Sequence, residues 1–168
     1  MDVRQHTSEN TCSEAAFSDC GKYRYWLKRR WDTGRLLNFI MLNPSVANEF
    51  RNDPTVERCE RRARQLGFSA FCVTNIFAWR DTDPKAMKRS KAPEGPENDA
   101  VLCAEADRAD LVIVAWGTHG AHLGRGPAVQ DMLKQSGVEM RHLGLSKHGH
   151  PRHPLYIPYH QKPILLDF

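Results

Sequence analysis

Short apolar runs separated by longer polar stretches are the first visible pattern in this chain. The runs at 36–42, 70–77 and 110–117 are continuous and rich in large or β-branched residues. Such runs are typical of strands that are buried on both faces of a parallel sheet. A weaker run at 138–145 predicts a peripheral strand, and the alternating stretch "YRYWLKRRW" predicts an edge strand.

Helical patterns lie between the predicted strands. In "DPTVERCERRARQLG", Asp53 stands at an N-cap, Pro54 at the first helical position and Gly67 at the end. "PENDAVLCAEADRA" and "GPAVQDMLKQSG" predict two more helices. This strand–helix alternation predicts a three-layer αβα fold around a mostly parallel central sheet. We expect residues 1–16 to be a flexible polar segment and residues 17–168 to form a single α/β domain.

Two long stretches interrupt this alternation. One is the basic, proline-rich segment at 78–99, and the other is the tail "SKHGHPRHPLYIPYHQKP". Loops of this length in a compact domain are usually functional or disordered. They follow predicted strands, as do Asn43-Pro44 and the segment 117–119. Because the carboxyl ends of parallel strands share one edge, we expect these loops to form a single site there.

Composition narrows the possible classes of protein. No stretch approaches the roughly 20 apolar residues of a membrane helix, and no signal peptide opens the chain, so we expect a cytoplasmic protein. The five cysteines include no C-x-x-C pair, which argues against disulfide, zinc or iron–sulfur sites. We therefore expect no metal and no other cofactor.

Positive charge is clustered rather than spread evenly. The net charge is only +4, but "LKRRW", "ERCERRAR", "KAMKRSK" and "KHGHPRH" concentrate it. Clustered cations favour a polyanionic partner, because neutralising phosphates releases counterions. Solvated helix faces are the alternative interpretation of each cluster.

The predicted edge carries amides, carboxylates, imidazoles, arginines and flat aromatics. The chain lacks the G-x-S-x-G, P-loop and H-E-x-x-H motifs, which argues against a serine hydrolase, an NTPase or a zincin. The remaining groups suit the stacking and edge-reading of a nucleic-acid base, followed by chemistry with water. Trp116 is expected in the core, and Asn98 and Asp99 at a helix start.

The motifs also carry a resemblance. "MLNPS", "DPT", "GPENDA", "AWG" and "HPRHPLY" resemble a bacterial and phage family of unknown function, over nearly all of the chain after residue 17. More distantly, the order of the motifs is similar to that of the uracil-DNA glycosylase superfamily. That resemblance implies a uracil-DNA-glycosylase-like fold and a DNA glycosylase acting in base excision. The chain departs from it where Met41 or Leu42 replaces the usual glycine, and it lacks the "G-Q-D-P-Y" tyrosine.

The resemblance also implies roles for particular residues. Asn43 would hold a water beneath the sugar, and Asp53 would orient or deprotonate that water. Asn75 would read the base, while His153 or His150 would stabilise the departing base. The alternatives are a turn amide at Asn43, a helix cap at Asp53, and backbone-satisfying or structural roles at Asn75 and the histidines.

The positions of other residues in the predicted loops suggest contacts with the base or with DNA. Phe50 and Ser45 are expected to contact the base, with a loop anchor as the alternative for Phe50. The expected DNA contacts are Trp79, Arg80, Lys147, His150 and Arg152. Surface solvation is the alternative interpretation of Trp79, Arg80 and Arg152.

The sequence therefore predicts a monofunctional DNA glycosylase that flips a base from double-stranded DNA and leaves an abasic site. The expected substrate is a modified or damaged pyrimidine. The resemblance points to hypermodified phage cytosine, such as glucosylated hydroxymethylcytosine, and to a role in phage defence. We expect no membrane association and no obligate protein partner. The rivals are a non-catalytic module that binds nucleic acid or nucleotides, and a nucleoside or nucleotide N-glycosidase.

Overall fold

The computed structural model of the protein describes residues 1–167 and contains one eight-stranded mixed sheet. The strands lie in the spatial order β1-β2-β3-β5-β4-β6-β7-β8. Their bounds are β1 Asp2–Ser8, β2 Thr11–Phe17, β3 Arg24–Arg30, β4 Leu36–Met41, β5 Ala70–Asn75, β6 Leu111–Val114, β7 Met140–His142 and β8 Ile164–Leu165. The three apolar runs thus form β4, β5 and β6, as predicted.

Four α-helices accompany this sheet in the described residues: α1 Pro54–Gln65, α2 Pro84–Arg89, α3 Asn98–Arg108 and α4 Arg125–Gln135. The three predicted helices are confirmed as α1, α3 and α4. The short α2 was not predicted; it lies in the segment expected to be a loop, with Asp83 as its N-cap and Met87 as its buried contact. Short 3-10 helices occur at Thr118–Gly124 and Pro154–Tyr156.

The prediction of a mostly parallel sheet is wrong. Strands β5, β4, β6 and β7 are mutually parallel, but the other four of the seven strand pairings are antiparallel. The parallel part carries the continuous apolar runs, because helices cover both of its faces. The antiparallel part is built from more polar strands, which the apolar-run criterion does not detect.

The N-terminal segment and β3 also differ from expectation. Residues 2–17, included almost entirely in the segment expected to be flexible, form the β1–β2 hairpin. Because this hairpin pairs with β3, that strand lies inside the sheet and is not an edge strand. The polar composition of β1 is explained by its exposure, since its side chains are almost all exposed to solvent.

The helices lie on two opposite faces of the sheet. On β4, Leu37, Phe39 and Met41 pack in the core cluster that includes α1. The alternate residues Ile40 and Leu42 pack in the cluster that includes α3 and α4. Successive side chains of a strand point to opposite faces, so α1 covers one face and α3 and α4 cover the other.

A bulge in β3 decides which side chains face α1. Phe17 pairs with Arg24 and Ala16 pairs with Trp26, so Tyr25 is the extra residue. Arg24 before the bulge and Arg29 after it both donate hydrogen bonds to the loop that follows β4 on the α1 side. Without the extra residue, alternation would turn one of these two arginines to the other face.

None of the helices formed by residues 1–167 combines the length and apolar character needed to cross a membrane.

Candidate functional site

The site lies at the carboxyl ends of the parallel strands. In the order β5-β4-β6, the chain moves from β4 to β5 on one side and later crosses to β6 on the other. Such a reversal leaves a crevice outside the strand ends, which is where open α/β sheets bind ligands. The segments that follow β4, β6 and β7 all contribute residues to this region.

Asn43 follows β4 and is fixed by one end of its side chain. Its Nδ2 donates to the backbone oxygens of Asp81 at 2.9 Å, Pro44 at 3.3 Å and Trp79 at 3.4 Å. Because all three partners are acceptors, the nitrogen must face them and Oδ1 must face away. Oδ1 makes no hydrogen bond to residues 1–167, so it is available as an acceptor. Asn43 therefore holds the turn through its amide nitrogen and also keeps its carbonyl oxygen available to a ligand.

Asn75 ends β5 and is fixed in the opposite sense. Its Oδ1 accepts a hydrogen bond from Nη2 of Arg24 at 3.4 Å, and both residues are only 1 % exposed. Its backbone oxygen accepts a hydrogen bond from Asn98, which begins α3 as predicted. The Nδ2 of Asn75 has no hydrogen-bond partner within the described part of the chain.

His153 is partly buried next to Gly117, the residue after β6 and Trp116. The Nδ1 of His153 accepts a hydrogen bond from the Leu155 backbone at 3.3 Å, so a neutral ring carries its proton on Nε2. Burial lowers the pKa of His153, and the negative charge of Asp53 partly offsets this effect. The ring is therefore neutral at pH 7, with Nε2–H as a donor.

Asp53 connects these groups electrostatically. It is the N-cap of α1, as predicted, since its Oδ1 accepts a hydrogen bond from the Val56 backbone at 2.9 Å. Burial lowers the pKa values of both Arg24 and His153, and the negative charge of the same carboxylate partly offsets this lowering. Asp53 thus lies near two charged or titratable residues of the site while it caps a helix.

Asn43, Asn75 and His153 share one property: the protein fixes one polar atom of each side chain and leaves the other available. The available atoms are one acceptor and two donors. Groups held in this way need little reorganisation when a ligand arrives. We call these three residues the half-held side chains.

Sequence reasoning missed the charges buried around them. Arg24 and Glu49 are almost fully buried, yet neither is in a salt bridge with any described residue. Several buried polar atoms in this region have no hydrogen-bond partner among the described residues; they include Arg24 Nε, Arg80 Nε, Glu49 Oε2 and Asn52 Oδ1. The one available signal was Arg24 itself, a charge set between two tyrosines in an otherwise apolar alternation.

A cleft of about 310 Å³ lies where the segments after β4 and β5 meet. Its lining includes Ser45, Trp79 and Arg80, together with Lys22 and Asp81. Asn43 donates hydrogen bonds to the backbone of Trp79 and Asp81 but does not itself line the cleft. Arg80 also donates to the Gly21 backbone and lies over the Phe17 ring. The expected base contact Ser45 and the expected DNA contacts Trp79 and Arg80 are therefore brought together here, but Asn75 does not line this cleft.

A second cleft, of about 260 Å³, lies on the other side of the site. His150, Arg152 and His153 line it with Gly117 and Tyr156. The exposed residue Lys147 lies in the turn between Leu145 and Pro151, which form an isolated β-bridge. The structure thus groups both His-Pro pairs, and His153 is the one near Asp53.

Exposed apolar side chains surround this edge. Phe50 is 66 % exposed and its ring contacts His6 of β1 rather than either cleft. Tyr156 is the most exposed large hydrophobic residue of the described chain, at 84 %. The exposed residues on the loops that follow β4, β6 and β7 form what we call the apolar rim: Val46, Phe50, Leu123, Leu145 and Tyr156. Isolated exposed apolar residues are ordinary, but a group of them around a polar site indicates a contact surface.

One predicted basic cluster has a different use. Arg58 and Arg62 of α1 donate to backbone oxygens of the tail, and Arg62 is only 2 % exposed. The Tyr159 ring lies against the same guanidinium groups. These arginines fasten the tail that carries His153 and are not presented to a polyanion.

Fold and site together define an α/β protein with a polar, pre-ordered site at the carboxyl edge of its parallel strands. The model of the family described as "Protein of unknown function (DUF1643)" matches residues 24–155. The chain belongs to this family. Comparison with curated proteins gave no match, and neither did comparison with solved structures.

Proposed function

We propose that this protein is a monofunctional DNA glycosylase that excises a modified or damaged pyrimidine with an activated water and leaves an abasic site. The observation that carries the proposal is the set of half-held side chains at the carboxyl edge of the parallel strands, together with Asp53, whose charge acts on His153. An acceptor for a water, a carboxylate, a donor for a base and a donor for a leaving group are the parts that such a reaction requires.

The water would be held by Asn43 and activated by Asp53. Oδ1 of Asn43 is fixed as an acceptor, because its amide nitrogen is fully used by backbone oxygens. Asp53 supplies a carboxylate that accepts or orients the proton of the attacking water. In this reaction the water oxygen bonds to the sugar carbon, the N-glycosidic bond breaks, and the bonding electrons leave with the base.

His153 would stabilise the departing base. Negative charge develops on the base as the bond breaks, and a neutral imidazole donor can approach it without the cost of burying a cation. The lowered pKa of His153 and its Nε2–H tautomer both fit that role. No lysine is required, which agrees with a hydrolytic glycosylase and not with a Schiff-base lyase.

The surface around the site supports double-stranded DNA as the partner. The apolar rim offers groups that can enter a base stack when a nucleotide is flipped out. Exposed cations lie on the segments that follow β4, β5 and β7: Arg51, Lys85, Arg89, Lys91, Lys147 and Arg152. Their charges would contact phosphates and make binding dependent on salt.

The resemblance to the uracil-DNA glycosylase superfamily supports the same proposal and a related fold. The parallel strands are ordered second, first, third and fourth along the chain, an order that many doubly wound folds also have. The cleft of about 310 Å³ lined by Ser45, Trp79 and Arg80 offers room for a bulky substituent on the base. Hypermodified phage cytosine, such as the glucosylated hydroxymethyl form, is the substrate we propose, with phage defence as the role.

The test is to incubate the protein with modified phage DNA, uracil-containing DNA and plain DNA, and then to cleave with alkali. We expect abasic sites in a modified substrate. Asn43→Ala should lower turnover about 100-fold, since it removes an oriented polar group from the site, while DNA affinity is kept. Gln135→Ala, an exposed amide on α4, is the control.

Three other results would contradict the proposal. If no substrate yields abasic sites, the protein is not a glycosylase. If Asn43→Ala stays folded but changes only affinity, the protein is a binding module. If only free nucleosides or nucleotides are cleaved, with affinity independent of salt, the protein is a nucleoside N-glycosidase.

A further inference from the structure

Arg24 is a charge that the fold buries at considerable cost. It is 1 % exposed, and burial lowers its pKa to about 10, so it is still a cation at neutral pH. Its Nη1 donates to the Ala47 backbone at 2.9 Å, and its Nη2 donates to Oδ1 of Asn75 at 3.4 Å. A buried cation with no carboxylate in contact is a poor device for stability alone.

The contact with Asn75 has a chemical consequence. A guanidinium only donates hydrogen bonds, so the amide atom that faces it must be the oxygen. The Nδ2 of Asn75 must therefore point the other way, where no described residue accepts from it. With Arg24 in place, Asn75 can approach a ligand as a donor and not as an acceptor.

The two kinds of pyrimidine differ at ring nitrogen N3, which Nδ2 of Asn75 meets when the flipped base presents the middle of its Watson–Crick edge to this amide. The ring nitrogen N3 of cytosine is an acceptor, whereas N3 of uracil or thymine carries a hydrogen. A fixed N–H donor attracts the first and repels the second. Flipped bases are read by hydrogen bonds to this edge.

We propose that Arg24 is a positioning residue that fixes the amide of Asn75, and that this makes the site selective for cytosine-type bases over uracil-type bases. This inference rests on the proposed glycosylase function. It names the pair of residues that selects cytosine-type bases and gives the physical reason for that selection.

The fold supports Arg24 in this role through two features. The bulge at Tyr25 puts Arg24 on the α1 side of the sheet, where Asn75 lies. Asn98 donates to the backbone oxygens of Asn75 and Ile76, which fixes the strand end from the opposite side. Backbone and side chain of Asn75 are thus held by separate partners.

A purely structural role is the competing explanation. Arg24 also fastens the loop after β4 through Ala47, so its removal could loosen the site without altering selectivity. The two explanations predict different changes in the ratio of the excision activities on cytosine-type and uracil-type substrates. Loosening lowers both activities together, whereas a free amide changes their ratio.

The experiment uses duplexes of one sequence with 5-hydroxymethylcytosine or 5-hydroxymethyluracil at a single position opposite guanine, each with and without a glucosyl group. The uracil-type base is mispaired and flips more easily, which works against the expected preference. Excision is measured for the wild type, Asn75→Asp, Arg24→Met and the control Arg30→Met, an exposed arginine of β3. Thermal unfolding shows that each variant is folded.

We expect the wild type to excise the cytosine-type base. Asn75→Asp replaces the donor with an acceptor beside Arg24 and should invert the preference. We expect the wild type to prefer the cytosine-type base, and the variant the uracil-type base, each by roughly 10-fold or more. Arg24→Met frees the amide to rotate and should lower the ratio of kcat/KM values at least about 10-fold. Arg30→Met should leave the ratio unchanged.

Equal excision of both base types by the wild type would overturn this inference and leave the proposed function intact. So would an unchanged ratio in folded Asn75→Asp, the variant that keeps a partner for Arg24. A lack of excision from the cytosine-type duplexes, with abasic sites in other DNA, would also overturn it. Abasic sites in no DNA would overturn the proposed function as well.

Discussion

At the scale of single residues, the site is a set of amide and imidazole groups whose orientation the protein has already fixed. Asn43 is held through its nitrogen, Asn75 through its oxygen and His153 through Nδ1. Fixing each side chain costs conformational entropy during folding. Because the side chain is already ordered, that entropy is not lost again when a ligand binds. This is why we assign function to residues that also have clear structural contacts.

At Asp53, one substitution can separate the proposed catalytic role from the structural role as a helix cap. Asp53→Asn should keep the helix cap, because asparagine caps helices about as well as aspartate. It removes the carboxylate, so turnover should fall about 100-fold or more if that group activates water. Unfolding in urea and excision assays measure the two effects.

Asp53→Ala is the matched comparison. It should lose the same turnover and also about 1 kcal/mol of stability, because the Val56 N–H loses its acceptor. Full activity in Asp53→Asn would show that the residue is only a helix cap.

Residues differ in how far their role could be foreseen. The cap at Asp53 and the helix start at Asn98 follow from local sequence, and both are confirmed. Arg24 had one local signal, its place between two tyrosines, but this did not show that it is buried, because an arginine in a basic strand usually faces solvent. Its burial depends on a bulge in β3 and on a loop that covers it, and neither is encoded next to it.

At the scale of elements, α1 does more than cover the sheet. Through Arg58 and Arg62 it holds the backbone oxygens of the tail, and these contacts fix the segment just after His153. A tail rich in proline has few backbone donors and cannot form its own ladder. Side chains of another element therefore have to satisfy its carbonyls.

Replacing Arg62 should release this tail. Arg62→Met leaves backbone oxygens of Ile157, Pro158 and Gln161 without this donor. We expect a loss of roughly 2 kcal/mol or more in the free energy of unfolding. Faster hydrogen exchange in residues 153–161 and reduced turnover should accompany it.

Arg64→Met is the control from the same helix. Arg64 pairs with Glu60 and lies over Trp31, away from the tail. If both variants changed stability and exchange equally, the tail would not depend on the buried contacts of Arg62.

At the scale of the whole molecule, the sheet is larger than the part that carries the site. The β1–β2 hairpin adds two antiparallel strands beyond β3. β2 contributes the fully buried Ala15, Ala16 and Phe17, whereas the side chains of β1 are almost all exposed. The two strands should therefore differ in importance.

Two N-terminal deletions test this difference. Removing residues 2–9 takes away an exposed strand, and we expect only a small loss of stability, of the order of 1 kcal/mol. Removing residues 2–18 also takes away Phe17 from beneath Arg80 and leaves β3 as an unprotected edge. We expect that protein to aggregate or to unfold at a much lower temperature, as measured by size-exclusion chromatography and thermal denaturation.

A stable, monomeric product of the longer deletion would contradict this account. It would mean that the hairpin is dispensable, as the polar composition of the N-terminus first suggested.

By itself, the sequence determined the strands β4, β5 and β6, the helices α1, α3 and α4, and the N-cap of α1. These depend on periodicity and on residues within a few positions of one another. Tertiary structure decided the mixed sheet, the burial of Arg24 and the use of the α1 arginines. The reason is separation along the chain: Arg24 and Ala47 are 23 residues apart, and Arg58 and Ile157 are 99 apart. No local pattern records which distant carbonyl a buried guanidinium will meet.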